Sequence, residues 1–219
     1  LVPTPRSKAS ENKFAATSVI NLKDDGSGTV SVKLATTGEY KQDILYNIFD
    51  QKKDEQKKYL VDDFGFLQPD DFEVEYNKAD KMQPVKIEMQ VEKIPEFSAG
   101  NKKFLNPRVY KIWHYALPKA EYRTQDFYFQ HPFIKTDTTI YNLPEGYVIE
   151  TLPKTKQVSF DYGSFISTYQ YDENKKQIIT TVKLQLDEYK IPAAKFITAK
   201  KFFNDVLVEY AEKIVIKKL

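Results

Sequence analysis

The stretch QVSFDYGSFISTYQYDENKKQIITTVKLQL, residues 157–186, decides the fold class of this chain. It divides into three short β-type runs, Gln157–Tyr162, Ser164–Tyr171 and Gln177–Leu186, which are separated by turns rich in Asp, Gly, Asn and Lys. Short strands with turn residues at nearly regular spacing are typical of antiparallel sandwiches. The stretch therefore predicts an antiparallel β-sandwich-like module.

The residues on either side of this stretch extend the module. Upstream, Asp126–Gln130, Thr138–Tyr141 and Tyr147–Thr151 are further β-type runs. Downstream, apolar residues recur at spacings of three and four after Ile191-Pro192, a pattern that predicts an amphipathic helix near 192–212. Because a boundary is indicated at 118–123, we expect a second module over residues 118–219.

The first half of the chain shows the same alternation of strand and turn. Phe14–Leu22 and Thr29–Leu34 flank a turn over 23–28 that contains two Asp and two Gly, which predicts a hairpin. Two more β-type runs follow, Phe72–Tyr76 and Val85–Ile94, and the second of them alternates apolar and charged side chains. Residues 12–117 are therefore predicted to form a first β module.

One helix is predicted inside the first module. Thr36 and Glu39 have the spacing of a capping box, and Tyr40, Ile44 and Ile48 follow as one apolar stripe. We expect the helix near 39–60. Residues 1–11 are rich in Pro, Ser and Lys and are interpreted as a linker or the tail of an upstream domain. The overall prediction is a mostly β (α+β) protein with two antiparallel β-sandwich-like modules, each with one amphipathic helix.

Composition excludes several classes of chemistry. The chain of 219 residues has 33 Lys and Arg against 31 Asp and Glu, so its near-neutral charge argues against nucleic-acid binding. It has no cysteine and only two histidines, and it lacks phosphate-binding loops and the Gly-x-Ser-x-Gly motif. No apolar run is long enough to span a membrane. We therefore predict no catalytic residues, no cofactor and no metal, although a hydrolase that uses two carboxylates stays open.

Aromatic side chains provide the candidate binding surface. Trp113, His114 and Tyr115 are consecutive and lie near the predicted module junction, where pockets tend to form. Tyr128 joins them as an outward-facing ring in an aromatic run that also includes Tyr122. The alternative interpretation assigns Phe127 and Phe129 to the core on one face of a strand, with Tyr128 outward.

The second half resembles a known family. The order of its turn and strand motifs is similar to that of the C-terminal domain of unknown function that follows transglutaminase-like cores in multidomain proteins of Bacteroidetes. The residues that carry the resemblance are Arg123-Thr124-Gln125-Asp126, Asn142-Leu143-Pro144-Glu145-Gly146-Tyr147, Thr151-Leu152-Pro153, Phe160-Asp161-Tyr162-Gly163-Ser164 and Tyr189-Lys190-Ile191-Pro192-Ala193.

The resemblance implies a role beside an enzyme rather than as one. A transglutaminase-like core needs a Cys–His–Asp constellation, and this chain has no cysteine to supply it. We therefore expect a non-catalytic accessory or interaction region of a larger papain-like protein in the periplasm or at the cell surface. The upstream core would be its partner, together with a protein or glycan ligand. The alternative is a carbohydrate- or surface-binding β module that uses exposed aromatics.

Overall fold

A computed structural model describes residues 7–80, 82–119 and 123–219, and it confirms a mostly β protein. Within these residues the helices are α1 (Gly38–Asn47), α2 (Lys53–Lys58) and α3 (Phe196–Glu209). The strands are β1 (Lys13–Leu22), β2 (Gly28–Thr36), β3 (Asp71–Glu75), β4 (Val85–Val91), β5 (Phe97–Ala99), β6 (Lys102–Leu105), β7 (Phe127–Tyr128), β8 (Phe133–Asn142), β9 (Tyr147–Thr151), β10 (Lys156–Phe160), β11 (Gly163–Asp172), β12 (Gln177–Leu186), β13 (Lys190–Ile191) and β14 (Ile214–Lys218).

The largest sheet has eight strands in the order β10-β11-β12-β8-β1-β2-β4-β3. The predicted hairpin of the first half is confirmed, with Ile20 of β1 opposite Val30 of β2. In the middle of the sheet, β1 and β8 pair in parallel, whereas every other neighbouring pair of this sheet is antiparallel. This one sheet therefore contains strands from both sides of residue 117, the predicted boundary between the two modules.

Two smaller sheets complete the fold. The four strands β5-β6-β14-β9 form one sheet, and β13 pairs with β7 in a two-stranded ribbon. The predicted C-terminal helix is confirmed as α3, which is preceded by a short 3-10 turn at Ala193–Lys195. Its apolar face, which includes Phe196, Phe203 and Val206, is buried in a core shared by both halves of the chain. Burial of one such Phe side chain stabilises the fold by roughly 2 kcal/mol.

The predicted helix near 39–60 is interrupted. Helix α1 ends at Asn47, and α2 begins at Lys53 and continues into a π-helical turn over Tyr59–Asp63. Asp50 lies between them with a φ of 58°, a left-handed conformation that a helix cannot accommodate. The interruption lets both Ile48 and Phe49 enter the core. The first half thus contains two short helices rather than one.

Helix α1 is capped from outside its own sequence, so the predicted capping box of Thr36 and Glu39 is wrong. Thr36 is the last residue of β2, and the residue at the N-cap is Thr37, whose side chain makes no cap bond. The main-chain N–H of Glu39 instead donates to Oδ1 of Asn12, at 3.1 Å. The buried Asn12 also donates through Nδ2 to the carbonyl of Pro132, at 2.9 Å. Asn12 therefore joins α1 to the segment before β8.

Replacing Asn12 with Ala is expected to lower the free energy of unfolding by about 1–2 kcal/mol, because the helix loses its cap and Pro132 loses a donor. Urea denaturation followed by circular dichroism measures the change. Asn174→Ala is the matched control. Asn174 is exposed, so its replacement should change the free energy of unfolding by less than about 0.5 kcal/mol. Equal midpoints for the two variants would show that Asn12 is not a cap.

Residues 1–6 of the predicted linker lie outside the described residues. The rest of that segment packs on the domain: Ala9–Glu11 forms a 3-10 turn, and Ala9 is buried. Thr37 Oγ1 donates to the carbonyl of Glu11 at 2.7 Å, which fixes the turn to the end of β2.

Candidate functional site

A cleft of about 610 Å³ opens between α1, the π-helical turn after α2, the segment 113–118 and the chain from β7 into β8. Its deep part is formed by rings that are almost fully buried, those of Tyr40, Trp113 and Phe133. Two exposed residues, Tyr115 and Tyr128, form its rim. Tyr115 is 51% exposed to solvent and Tyr128 is 55% exposed. The volume lies within the range of small-ligand sites.

The structure brings three of the four predicted site residues to this cleft: Trp113, Tyr115 and Tyr128 all line it. Trp113 packs on Phe203 of α3 with ring centroids 4.4 Å apart, and its Nε1 donates to the carbonyl of Tyr115 at 2.6 Å. The indole is thus held from both sides. The segment 113–115 is irregular, so its position comes from these contacts rather than from a helix or strand.

The fourth predicted residue, His114, is not among the described residues that line the cleft. Its ring packs on Tyr115 with centroids 3.8 Å apart, and burial lowers the pKa of its imidazole. Within the described residues its buried Nε2 has no hydrogen-bond partner. The neighbouring residues Phe127, Phe129 and Phe133 all line the cleft; Phe133 belongs to the buried core, and Phe127 and Phe129 pack on that core and are partly buried. Tyr122 lies outside the described residues.

Lys135 of β8 lies among the deep rings, and sequence reasoning did not single it out. Its Nζ is 5.2 Å from the centroid of Tyr40, 5.8 Å from that of Phe133 and 5.9 Å from that of Trp113. Burial lowers the pKa of its ammonium to about 8. Its position in β8 could have indicated this. Side chains alternate between the two faces of a strand, and residues 133, 137, 139 and 141, which lie on the same face as residue 135, are buried.

Acidic side chains and one histidine surround this lysine. Asp43 of α1 and Asp63 of the π-helical turn lie at the exposed rim, and His131 borders the deep part. Partial desolvation and the charge of Glu39 raise the pKa of the Asp43 carboxyl. Desolvation lowers the pKa of His131, whose ring meets Tyr40 edge-on at 5.1 Å. The cleft therefore offers one cation at its base and two carboxylates at its mouth.

These groups do not form a recognised catalytic constellation. Among the described residues that line the cleft, none is a Ser, Thr or Cys that could act as a nucleophile beside His131. No cluster of three or more His, Asp or Glu side chains with metal-binding geometry occurs in the described ranges 7–80, 82–119 and 123–219. Over the same ranges, no helix has the length and apolarity needed to cross a bilayer. The side chains that line the cleft can stack on a ligand, form hydrogen bonds with it and interact with its charge.

A second group of charged residues lies wholly inside the core. Arg108, before β8 in the chain, forms two hydrogen bonds with Glu209 of α3, of 3.0 and 2.9 Å. Tyr169 of β11 also donates to Glu209. Asp137 of β8 accepts from Thr139 at 2.7 Å, and its Oδ2 lies 3.9 Å from Nε of Arg108. The cluster joins α3 to the sheet, and its three charged side chains are almost fully buried, whereas Tyr169 is half-buried.

The two carboxyls of this cluster have net pKa shifts in opposite directions, although burial acts to raise both. Burial raises the pKa of Asp137 to about 6, because Arg108 is only a distant partner. It also acts to raise the pKa of Glu209, but the charge and hydrogen bonds of Arg108 outweigh burial there, and the net shift is downward. Glu209 is therefore the ionised partner of Arg108.

Comparison with known proteins gives a family and one structural neighbour. Residues 101–216 match the family model described as "Domain of Unknown Function with solved-structure structure", DUF3858. A crystal structure of a "putative protease" from Parabacteroides distasonis is similar, with 12% sequence identity and a TM-score of 0.40. The similarity covers 46% of this chain and 19% of the chain of that protease. No curated protein matches the sequence. Because the family model spans more than half of the residues, the chain belongs to the DUF3858 family.

Proposed function

We propose that this chain is a non-catalytic interaction region of a larger transglutaminase-like protein, and that its aromatic cleft holds a peptide segment of a substrate or partner. The observation that carries the proposal is the cleft itself, where the exposed rings of Tyr115 and Tyr128 border the buried indole of Trp113. We extend the proposal to a location in the periplasm or at the cell surface, next to the upstream core.

The composition of the cleft favours a peptide as the occupant. Tyr and Trp side chains lose little conformational entropy on binding and present both apolar area and a polar group, which is why they are enriched at protein interfaces. A peptide main chain carries both N–H donors and carbonyl acceptors. Asp43 and Asp63 can accept from the donors, and Lys135 can donate to an acceptor.

The single tryptophan makes binding measurable, because Trp113 lines the cleft and no other indole contributes to the fluorescence. We expect a pool of acetylated tetrapeptides to change the Trp113 emission. The double variant Tyr115→Ala/Tyr128→Ala should bind at least about tenfold more weakly, since two aromatic contacts are lost. Tyr46→Ala is the matched control, because Tyr46 is 77% exposed and is not among the cleft residues. Equal affinity of the double variant and the control would contradict the proposal.

A carbohydrate ligand is the second candidate. Two exposed tyrosine rings at the mouth of a cleft that also carries Asn47, Asp43 and Asp63 could stack on a sugar and bond its hydroxyls. The same titration with cellohexaose, maltohexaose and chitohexaose separates the two. A sugar that shifts the Trp113 emission when the peptide pool does not would favour the carbohydrate alternative.

A further inference from the structure

The ammonium of Lys135 has no oxygen partner in the described part of the chain: neither a hydrogen bond nor an ion pair reaches its Nζ. Three other lysines that are partly or fully removed from water each reach an oxygen. Lys41 donates to the carbonyl of Gln83 at 3.3 Å, and Lys156 donates to that of Asp205 at 2.6 Å. Lys213 donates to Oδ1 of Asn106 at 2.7 Å.

An unpaired ammonium beneath three aromatic rings is costly, since burial removes hydration that no protein oxygen replaces. The ring faces of Tyr40, Trp113 and Phe133 compensate only in part. Asp43 is near enough for its charge to favour the ammonium, yet it forms no ion pair with it. A ligand oxygen at the base of the cleft would supply the missing partner.

The surrounding charges restrict which anion fits. The cleft holds one ammonium at its base and the carboxylates of Asp43 and Asp63 at its mouth, so a dianion such as a phosphate would be more costly to desolvate and would leave one of its two charges without a cation. A single carboxylate with an apolar group next to it matches one cation among rings. N–H donors that follow the carboxylate along a chain would then lie near Asp43 and Asp63.

We propose that the cleft binds the free C-terminal carboxylate of a peptide on Lys135, with the last side chain of that peptide, apolar or aromatic, among the surrounding rings. This proposal rests on the proposed role of the cleft and specifies its ligand. It makes Lys135 the residue that distinguishes a chain end from a segment in the middle of a chain, because only the end carries the charge.

The test compares two probes that differ in one group: acetyl-Ala-Ala-Phe with a free carboxylate, and the same peptide as its amide. Trp113 emission gives the dissociation constants. We expect the acid to bind at least about tenfold more tightly than the amide, as for a hydrogen bond between charged groups. Lys135→Met, which nearly preserves side-chain volume, should bind both probes with the weak affinity of the amide.

Lys183→Met is the matched control. Lys183 is exposed on the neighbouring strand β12, outside the cleft, and faces Thr136 in the register. This variant should keep the full preference for the acid. If Lys135→Met does not fold, raising the pH provides a second measurement on the wild-type chain.

The preference for the acid should disappear as the pH rises from 7 to 9.5, because the Lys135 ammonium, whose pKa is about 8, loses its charge. Asp43 on α1, His114, His131 and the ring of Tyr40 interact with it directly, and the further titratable groups around the cleft are Glu39 on α1, Tyr59 and Asp63 on the π-helical turn, and Tyr115. Burial lowers the pKa of both histidines and raises the pKa of Tyr40, Tyr59 and Tyr115. Lys135 is therefore the group expected to titrate.

The outcomes separate this proposal from the one on which it rests. Equal binding of acid and amide, with no effect of Lys135→Met, would overturn the carboxylate site while leaving the cleft as a peptide site. Binding of 3-phenylpropionate as tightly as the peptide acid would overturn the peptide as the source of the carboxylate. No change in Trp113 emission with either peptide or with the tetrapeptide pool would overturn both proposals.

Discussion

Arg108→Met is expected to lower the free energy of unfolding by about 3–5 kcal/mol, the largest effect we predict for a single substitution. Arg108 is 1% exposed and holds Glu209 through two hydrogen bonds of 3.0 and 2.9 Å. Methionine fills much of the same volume but leaves the carboxylate of Glu209 buried without a cation. Since α3 contributes Glu209, the helix would lose its polar attachment to the sheet.

Urea denaturation, followed by Trp113 emission and by circular dichroism, measures this loss. Lys53→Met is the matched control, because it also removes a basic partner, but from an exposed pair with Asp71 at 2.7 Å. Lys53→Met should lower the free energy of unfolding by less than about 1 kcal/mol. Adding Glu209→Gln to Arg108→Met should restore part of the stability, because the unpaired charge is then gone. A loss no larger than that of the control would contradict the role assigned to Arg108.

Asp137 is expected to give the protein a pH-dependent component of stability with the opposite sign to that of most carboxylates. Burial raises its pKa from 3.8 to about 6, so the folded state binds the proton more tightly than the unfolded state does. This contribution is complete below pH 4 and is lost as the pH rises through about 6. The loss amounts to roughly 2–3 kcal/mol.

The measurement is the difference in unfolding free energy between the wild type and Asp137→Asn at pH 4, 5, 6 and 7. We expect the unfolding free energy of Asp137→Asn to increase relative to that of the wild type as the pH rises. Glu209, whose pKa is lowered, acts in the other direction but is present in both proteins and largely cancels in the difference. Asp71→Asn is the control: it removes an exposed carboxyl whose pKa is lowered by its hydrogen bond with Lys53, so this variant should not become more stable relative to the wild type as the pH rises. A difference that is constant with pH would show that Asp137 is ionised at all four values.

Local patterns predicted most of the strands and the last helix. The alternation of apolar and charged residues predicted a strand over Val85–Ile94, which is observed as β4 at Val85–Val91, and turn signals at regular spacing predicted β12 at Gln177–Leu186. The spacing of three and four placed α3. These elements were predictable because each buries one face along its whole length, and burial of one face leaves a period in the sequence.

Long-range pairings were not predictable in this way. Arg108 and Glu209 are 101 residues apart, and no local period relates them. Asp137 and Lys135 interrupt the inward face of β8 with charges, which by pattern alone are assigned to the solvent side. The aromatic residues of the cleft could be predicted because they cluster in the sequence. Lys135 could not, because a charged residue in a strand is normally assigned to the solvent side.

The parallel pairing of β1 with β8 also determines the order in which the protein can be assembled during synthesis. Asn21 of β1 and Asn142 of β8, which are hydrogen-bonded, lie 121 residues apart, so β1 is made long before its neighbour. Until β8 emerges from the ribosome, the nascent chain carries an open edge on β1 in what becomes the middle of the sheet. Closure of the sheet is therefore a late, high-contact-order event that couples the two halves of the polypeptide.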